Sequence, residues 1–174
     1  MSQPTGAPES WHGRQPSLVQ MSLRRSPLVV RPSPISGLGA FATRPIRKGS
    51  RIIEYSGERI TPDEADTRYR RGPSAHPLVL LFSVDSRTVI EAAVNGNEAR
   101  YVNHSCEPNC EAVIKGRRIW IHALRDMQSG EELTYDYNLT GDEEDEEAEA
   151  DLYPCHCNAR SCRGTMFRLG GRSP

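Results

Sequence analysis

Apolar residues in this chain come in short bursts, each closed by glycine, proline or charged turn residues. Leu28-Val29-Val30 is the first burst and predicts a short strand. A glycine-containing loop over 36–42 follows, then a turn at Arg47-Lys48-Gly49 and a strand over Arg51-Ile52-Ile53-Glu54-Tyr55. Thr61-Pro62-Asp63-Glu64 has the form of a helix start. Thr61 serves as N-cap, Pro62 takes the first position and Glu64 completes a capping box, with the helix running to about Arg70. The run over 78–84 suits a buried strand that pairs with Thr88-Val89-Ile90-Glu91 across a turn at 85–87. Residues 96–101 predict a short helix. Residues 112–114 and 118–123 flank Lys115-Gly116-Arg117 as a hairpin, and Ser129-Gly130-Glu131 turns the chain into Leu133-Thr134-Tyr135. Short strands, closely spaced turns and few helices predict a mostly β domain of the α+β type.

A chain of 174 residues is expected to form one domain with a modest core. No apolar run is long enough to span a bilayer, and Met1 to Ser10 lacks the apolar segment of a secretory signal. Residues 1–26 carry scattered prolines and glycines and read as a flexible leader, within which Met21 is an alternative start. The formal net charge is −1, but eight acidic residues crowd into 142–151. The remainder is a mildly basic body with 22 basic and 15 acidic residues. That acidic run reads as a solvated linker. The five cysteines are an odd number. Without a secretory signal they favour a thiol–metal site in a reducing compartment over a disulfide framework.

Candidate chemistry gathers in three places. In Asn103-His104-Ser105-Cys106, several hydrogen-bonding groups and a thiol share one short segment. Cys155, Cys157 and Cys162 bring three more thiols, and one plus three completes the set of a tetrahedral zinc ion. His156 is excluded as a ligand because both its neighbours already bind and such a site closes at four. Cys110 is left over as a small buried apolar group. The arrangement fastens the tail onto the Asn-His segment, as a lid or wall over a site. Gly37-x-Gly39 reads either as a tight hairpin or as backbone that lets a ligand approach closely. Tyr135 and Tyr137 share one face of a strand.

In this order and spacing, Ser36-Gly37-Leu38-Gly39, Glu54-Tyr55-Ser56-Gly57-Glu58, residues 100–109, residues 130–137 and Cys155-x-Cys157-x4-Cys162 resemble the SET-domain protein lysine methyltransferases. The resemblance covers residues 28–167 and implies a SET β-fold of short sheets with a pseudoknot, plus a zinc-binding post-SET tail. It divides the chain into a leader (1–26), a SET domain (27–140), an acidic linker (141–151), a post-SET zinc motif (152–168) and a disordered tail (169–174), with no pre-SET segment. It further implies S-adenosylmethionine as cofactor, held by Gly37, Leu38, Gly39, Tyr69, Asn103 and His104. One structural zinc ion would sit on Cys106, Cys155, Cys157 and Cys162. Tyr137 matches the tyrosine beside the reacting amine, and Tyr135 a position that shapes the lysine channel, which Met166 and Phe167 would complete. The implied activity is methylation of lysine in a histone tail or other basic protein, to the mono- or dimethyl state. A monomer working inside the cell, nuclear if eukaryotic and cytoplasmic if bacterial, is expected, with neither nucleic acid nor membrane as partner. The chain departs from the family pattern at Leu80, where a channel tyrosine is common, and at Leu38, where tryptophan is common. The rival expectations are a non-catalytic SET-like protein-binding module, which Leu80 favours, and a plain zinc-stabilised domain, which leaves Asn103, His104 and Tyr137 unexplained.

Overall fold

The computed structural model describes residues 26–69, 80–140 and 151–168. Ten strands form three sheets among them. β1 (Leu28–Pro32) and β2 (Leu38–Ala42) make an antiparallel pair. β3 (Arg51–Tyr55) leads into β4 (Glu58–Ile60) and helix α1 (Pro62–Arg68). β5 (Leu81–Asp85) and β6 (Thr88–Glu91) complete a three-stranded sheet in the order β4-β6-β5. A 3-10 turn over Glu98–Tyr101 then delivers β7 (Asn103–His104). β8 (Cys110–Lys115), β9 (Arg118–Ala123) and β10 (Thr134–Tyr135) finish the five-stranded sheet, in the order β3-β9-β8-β10-β7. β10 comes last in the chain, yet it lies between β8 and β7 and is parallel to both. That interleaving brings Tyr135 level with His104.

β9 shows why the hairpin forms where the alternation predicts it. Ile119, Ile121 and Ala123 point inward and are buried, whereas Arg118 and the partly exposed Trp120 and His122 take the other face. One buried cluster holds Ile121 with Leu28, Val102, Met127 and Leu133; a second holds Ile119 with Tyr55, Val84 and Ile90. Ile53, Phe82 and Ala112 pack against both. Cys110 is fully buried in the first cluster, and burial pushes its thiol up to about 12, so it behaves as the apolar group expected.

Several elements differ from expectation. The segment read as a loop contains β2, because Leu38 to Ala42 pairs residue by residue with β1. β4 was not anticipated. The Asn-His segment begins as a two-residue strand. Of the run over 78–84, Leu81 to Val84 belong to β5, and residues 78 and 79 lie outside the described ones. Thr61 caps α1 as read, its Oγ1 accepting the Glu64 N–H at 3.2 Å. The Glu64 carboxylate, however, turns to Arg68 at 2.6 Å, four residues on. The helix ends at Arg68, two residues short of Arg70. There the guanidinium meets Glu58 and Glu91, the Tyr69 hydroxyl donates to Glu91, and Tyr69 leaves the helical region at φ −117° and ψ 25°. The loop over 71–77, nearly all of the leader, all but Asp151 of the acidic linker, and the 169–174 tail lie outside the described residues.

Candidate functional site

The site is built around β7. Asn97 caps the 3-10 turn that precedes it and also donates through Nδ2 to the Glu54 carbonyl at 2.7 Å, so the approach to Asn103 is fixed to β3. Asn103 Nδ2 lies 3.1 Å from the Leu38 carbonyl, 3.3 Å from the Ser36 carbonyl and 2.8 Å from Glu132 Oε1. The glycine segment and the Asn103 amide, 65 residues apart in sequence, are therefore one cluster. Glu132 also accepts the Ser33 hydroxyl at 2.6 Å. The tight-hairpin reading of the two glycines has its counterpart here. Gly37 has φ +44° at the turn between β1 and β2, and Gly39 is small because a Cβ there would sit 2.3 Å from Glu132 Oε1. Gly39→Ala should therefore displace Glu132 and Asn103. If the glycine segment holds S-adenosylmethionine, as the resemblance implies, calorimetric titration should show at least about tenfold weaker binding, the scale of about 1.4 kcal/mol, in a protein that still melts cooperatively. Wild-type affinity would contradict this.

His104 is buried, and its imidazole is fully engaged. Nδ1 accepts the Tyr137 N–H at 3.1 Å, which leaves the ring proton on Nε2, 3.5 Å from Cys106 Sγ. Desolvation dominates and brings the ring down to about 4, with nearby Asp136 opposing it, so the imidazole is neutral near pH 7. What His104 retains for a ligand is its main chain. Ser105 N–H donates to the Tyr135 carbonyl at 3.2 Å. By the alternation of backbone groups along a strand, the His104 N–H and C=O face the opposite edge of β7. No strand pairs with that edge among the described residues.

Tyr137 stands between this segment and a groove of about 770 Å³. Its hydroxyl donates to the Val102 carbonyl at 2.9 Å. Its ring lies 4.7 Å from that of Tyr135 and 5.3 Å from that of His104. Desolvation pushes both tyrosine hydroxyls well above their usual range, so both are phenols rather than phenolates. Phe82, stacked on Tyr135 at 6.2 Å, and Phe167 complete an aromatic wall, while Asp66 and Glu111 place negative charge along the rim. Leu80 is not among the residues lining the groove; its carbonyl accepts Tyr55 Oη and Ala92 N–H. Met166 does not line it either. Tyr69 places its hydroxyl on Glu91 of β6, whereas the Asn103 amide bonds to the glycine segment.

The Sγ atoms of Cys106, Cys155, Cys157 and Cys162 all lie within 4.8 Å of one another. Those of Cys106 and Cys155 are 3.8 Å apart. Tetrahedral coordination with Zn–S near 2.3 Å requires S···S of about 3.8 Å, so the spacing suits that ion. Main-chain N–H groups also point at the sulfurs: Arg163 at Cys106, Cys106 at Cys157 and Gly164 at Cys162. Such donors favour the thiolate form. Burial works against the Cys157 thiolate, yet N–H groups of Cys106 and Ala159 with the adjoining thiols bring it down to about 6. His156 is exposed and outside the cluster.

The residues that the motifs did not single out are the charged ones joining these parts. They are Glu132 beneath Asn103, Glu107 accepting from Ser161 N and Oγ, and Asp136 gripped by Arg163. Glu132 and Asp136 lie inside the 130–137 motif, but nothing in their spacing names their partners. Asn109 is a further case. It bridges β8 to β10, donating to the Glu132 carbonyl and accepting from Thr134 N–H.

The SET domain family model matches residues 37–138. The chain is 42% identical over 160 residues to a histone-lysine N-methyltransferase, H3 lysine-4 specific, of Saccharomyces cerevisiae, covering 86% of this chain and 14% of that protein. A protein of the same description from Kluyveromyces lactis is 44% identical over 155 residues, covering 86% and 15%. Histone-lysine N-methyltransferase trr of Drosophila melanogaster is 41% identical over 138 residues, covering 77% and 6%. The chain thus spans less than a fifth of the length of these relatives.

Proposed function

The chain belongs to the SET-domain family, and from that premise we propose that it is a protein-lysine N-methyltransferase that uses S-adenosylmethionine. The observation that carries the reading is the Tyr137 hydroxyl on the Val102 carbonyl. That one bond joins the aromatic end of the groove to the residue before Asn103. The cofactor supplies an electrophilic sulfonium methyl. Gly37, Leu38, Gly39, Asn103 and the open edge of His104 would hold it, and Tyr69 remains a proposed contact through α1. Residues 27–140 form the catalytic unit and 152–168 a post-SET tail closed by one zinc ion.

The chain's own residues then act by placement. A lysine amine has an ordinary pKa of about 10.4 and must reach the methyl unprotonated. Phe82, Tyr135, Tyr137 and Phe167 exclude bulk water around it and disfavour its charged form. Val102's carbonyl and the Tyr137 hydroxyl present oxygens that orient the methyl through weak C–H···O contacts. Alignment of amine, methyl and sulfur supplies most of the effect. Asp66 and Glu111 on the rim suit a basic peptide, and the names of the relatives point to a histone H3 tail. That substrate would place the protein in the nucleus, and we propose that it acts there as a monomer. No helix among the described residues is long and apolar enough to cross a membrane.

Incubating the protein with labelled cofactor on a lysine peptide array and on histones should label lysine. Mass spectra should stop at mono- and dimethyl products, because the Tyr135 hydroxyl keeps a water beside the amine. Ready progress to trimethyl-lysine would refute the product assignment, and no labelled lysine on any substrate would refute the activity. The non-catalytic alternative leans on Leu80, which does not line the groove. Calorimetry decides between the two, since a pure binding module need not hold the cofactor.

A further inference from the structure

The tail carries a charged residue whose reach exceeds what holding a metal requires. Arg163 follows Cys162, and its N–H points at Cys106 Sγ at 3.4 Å. Its guanidinium extends the other way and grips Asp136 with both ends of its fork, Nη1 to Oδ2 at 2.7 Å and Nη2 to Oδ1 at 2.8 Å. The same Asp136 Oδ1 accepts the Asn138 N–H at 3.1 Å, closing a small turn around Tyr137 with Asn138 at φ +47°. Tyr137 is thereby fixed at four points. Its hydroxyl is on Val102, its N–H is on His104, and both chain neighbours are held through one carboxylate.

We propose that Arg163 is a positioning residue for methyl transfer, clamping Asp136 so that the cysteine tail and the turn bearing Tyr137 are set as one rigid unit. The inference rests on Tyr137 being the tyrosine at the reacting centre. A bidentate arginine–carboxylate pair fixes both distance and plane, which a single ammonium cannot do. Both partners are partly shielded, at 31% and 21% side-chain exposure, so the pair is not a freely hydrated surface contact. Burial opposes ionisation of Asp136, yet Arg163, with the Asn138 N–H and His104, holds the carboxyl below the usual range. The groove is lined by Asp136 and Tyr137 together. Seating of the tail is thus transmitted directly to the residues that face a peptide.

The test uses the full chain with Arg163→Gln, Arg163→Lys, Asp136→Asn and the Arg163→Gln/Asp136→Asn double variant. Arg163→Gln is expected to lower kcat by about tenfold or more, the order expected when a reacting group is held loosely. Metal content and S-adenosylmethionine affinity should stay at wild-type values. Arg163→Lys should recover only part of kcat. Asp136→Asn, which is isosteric and keeps the fold, should match Arg163→Gln, and the double variant should be no worse than either. Amide hydrogen exchange at Tyr137 and Asn138 reads the clamp without turnover and should speed up about tenfold in Arg163→Gln. If the wild-type protein methylates nothing while this exchange responds, the methyltransferase reading has failed and the clamp stands. Wild-type kcat together with wild-type exchange in Arg163→Gln would overturn the clamp. So would loss of metal in step with loss of kcat, since Arg163 would then only build the metal site.

Discussion

Replacing Tyr137 with phenylalanine is expected to reduce methyl transfer by about 10²–10³-fold, the scale on which removal of one preorganised polar group acts. The substitution deletes a single oxygen. The ring keeps its neighbours, Tyr135 at 4.7 Å and His104 at 5.3 Å, and the Tyr137 N–H keeps its bond to His104 Nδ1. What disappears is the hydrogen bond that fixes the Val102 carbonyl, and with it the oriented oxygens around the methyl. The stability cost should therefore be only about 1 kcal/mol, as for one hydrogen bond. Initial rates with a labelled peptide, set beside a thermal melt, separate the two effects. Asn103→Ala should also lose turnover sharply, by a different route. It removes the amide that ties the Ser36 and Leu38 carbonyls to Glu132, so cofactor affinity should fall first. Unchanged turnover in both variants would sink the methyltransferase assignment.

Whether a part of this fold can be read from the chain depends on how local its cause is. β9 is legible because Ile119 and Ile121 alternate with Arg118, Trp120 and His122, and burial follows that period. β2 is not, because Leu38-Gly39-Ala40-Phe41-Ala42 looks like a glycine loop. Its small residues are there for a tertiary reason: Ala40 is fully buried and Gly39 makes room for the Glu132 carboxylate. β4 and β7, three and two residues long, are too short for any periodicity. The same division holds at the site. Four thiols announce themselves by type and spacing, and the structure gathers them. The Arg163–Asp136 pair spans 27 residues, the Asn103–Glu132 pair 29. Both involve charged residues that any solvated surface could carry. Even His104, singled out by its motif, turns its imidazole toward Tyr137 and Cys106 and leaves only its main chain for a ligand.

With zinc on the four cysteines as proposed, stripping it should cost nearly as much activity as the loss of Tyr137, while leaving the β-sheets folded. The described tail, residues 151–168, buries few side chains, chiefly Cys155, Thr165 and Phe167. Against that small core, a structural Zn²⁺ site contributes on the order of 10 kcal/mol or more of apparent binding energy. The remaining ties are Glu107 to Ser161, Arg163 to Asp136 and the bridge between Leu139 and Phe167. The Glu107–Ser161 contact is exposed and contributes little, and the partly shielded Arg163–Asp136 fork can grip only while the cysteines keep the tail seated beside it. With the metal gone, Phe167 should leave the groove it lines, which takes one wall from the peptide and opens the amine to water. Incubation with a strong chelator is expected to raise the peptide KM and lower kcat, together reducing kcat/KM by about 100-fold, and restored zinc should bring both back. Thiol titration gives a second readout. Chelated protein should expose four reactive thiols at pH 8. The fifth, Cys110, is fully buried with its thiol pushed up to about 12, and should react only in denaturant. Acid should weaken the metal site as well, since the ligands bind as thiolates and protons compete for them. Full activity after chelation, with four thiols titrating, would show that the tail seats itself without an ion and that the cysteines are not its fastening.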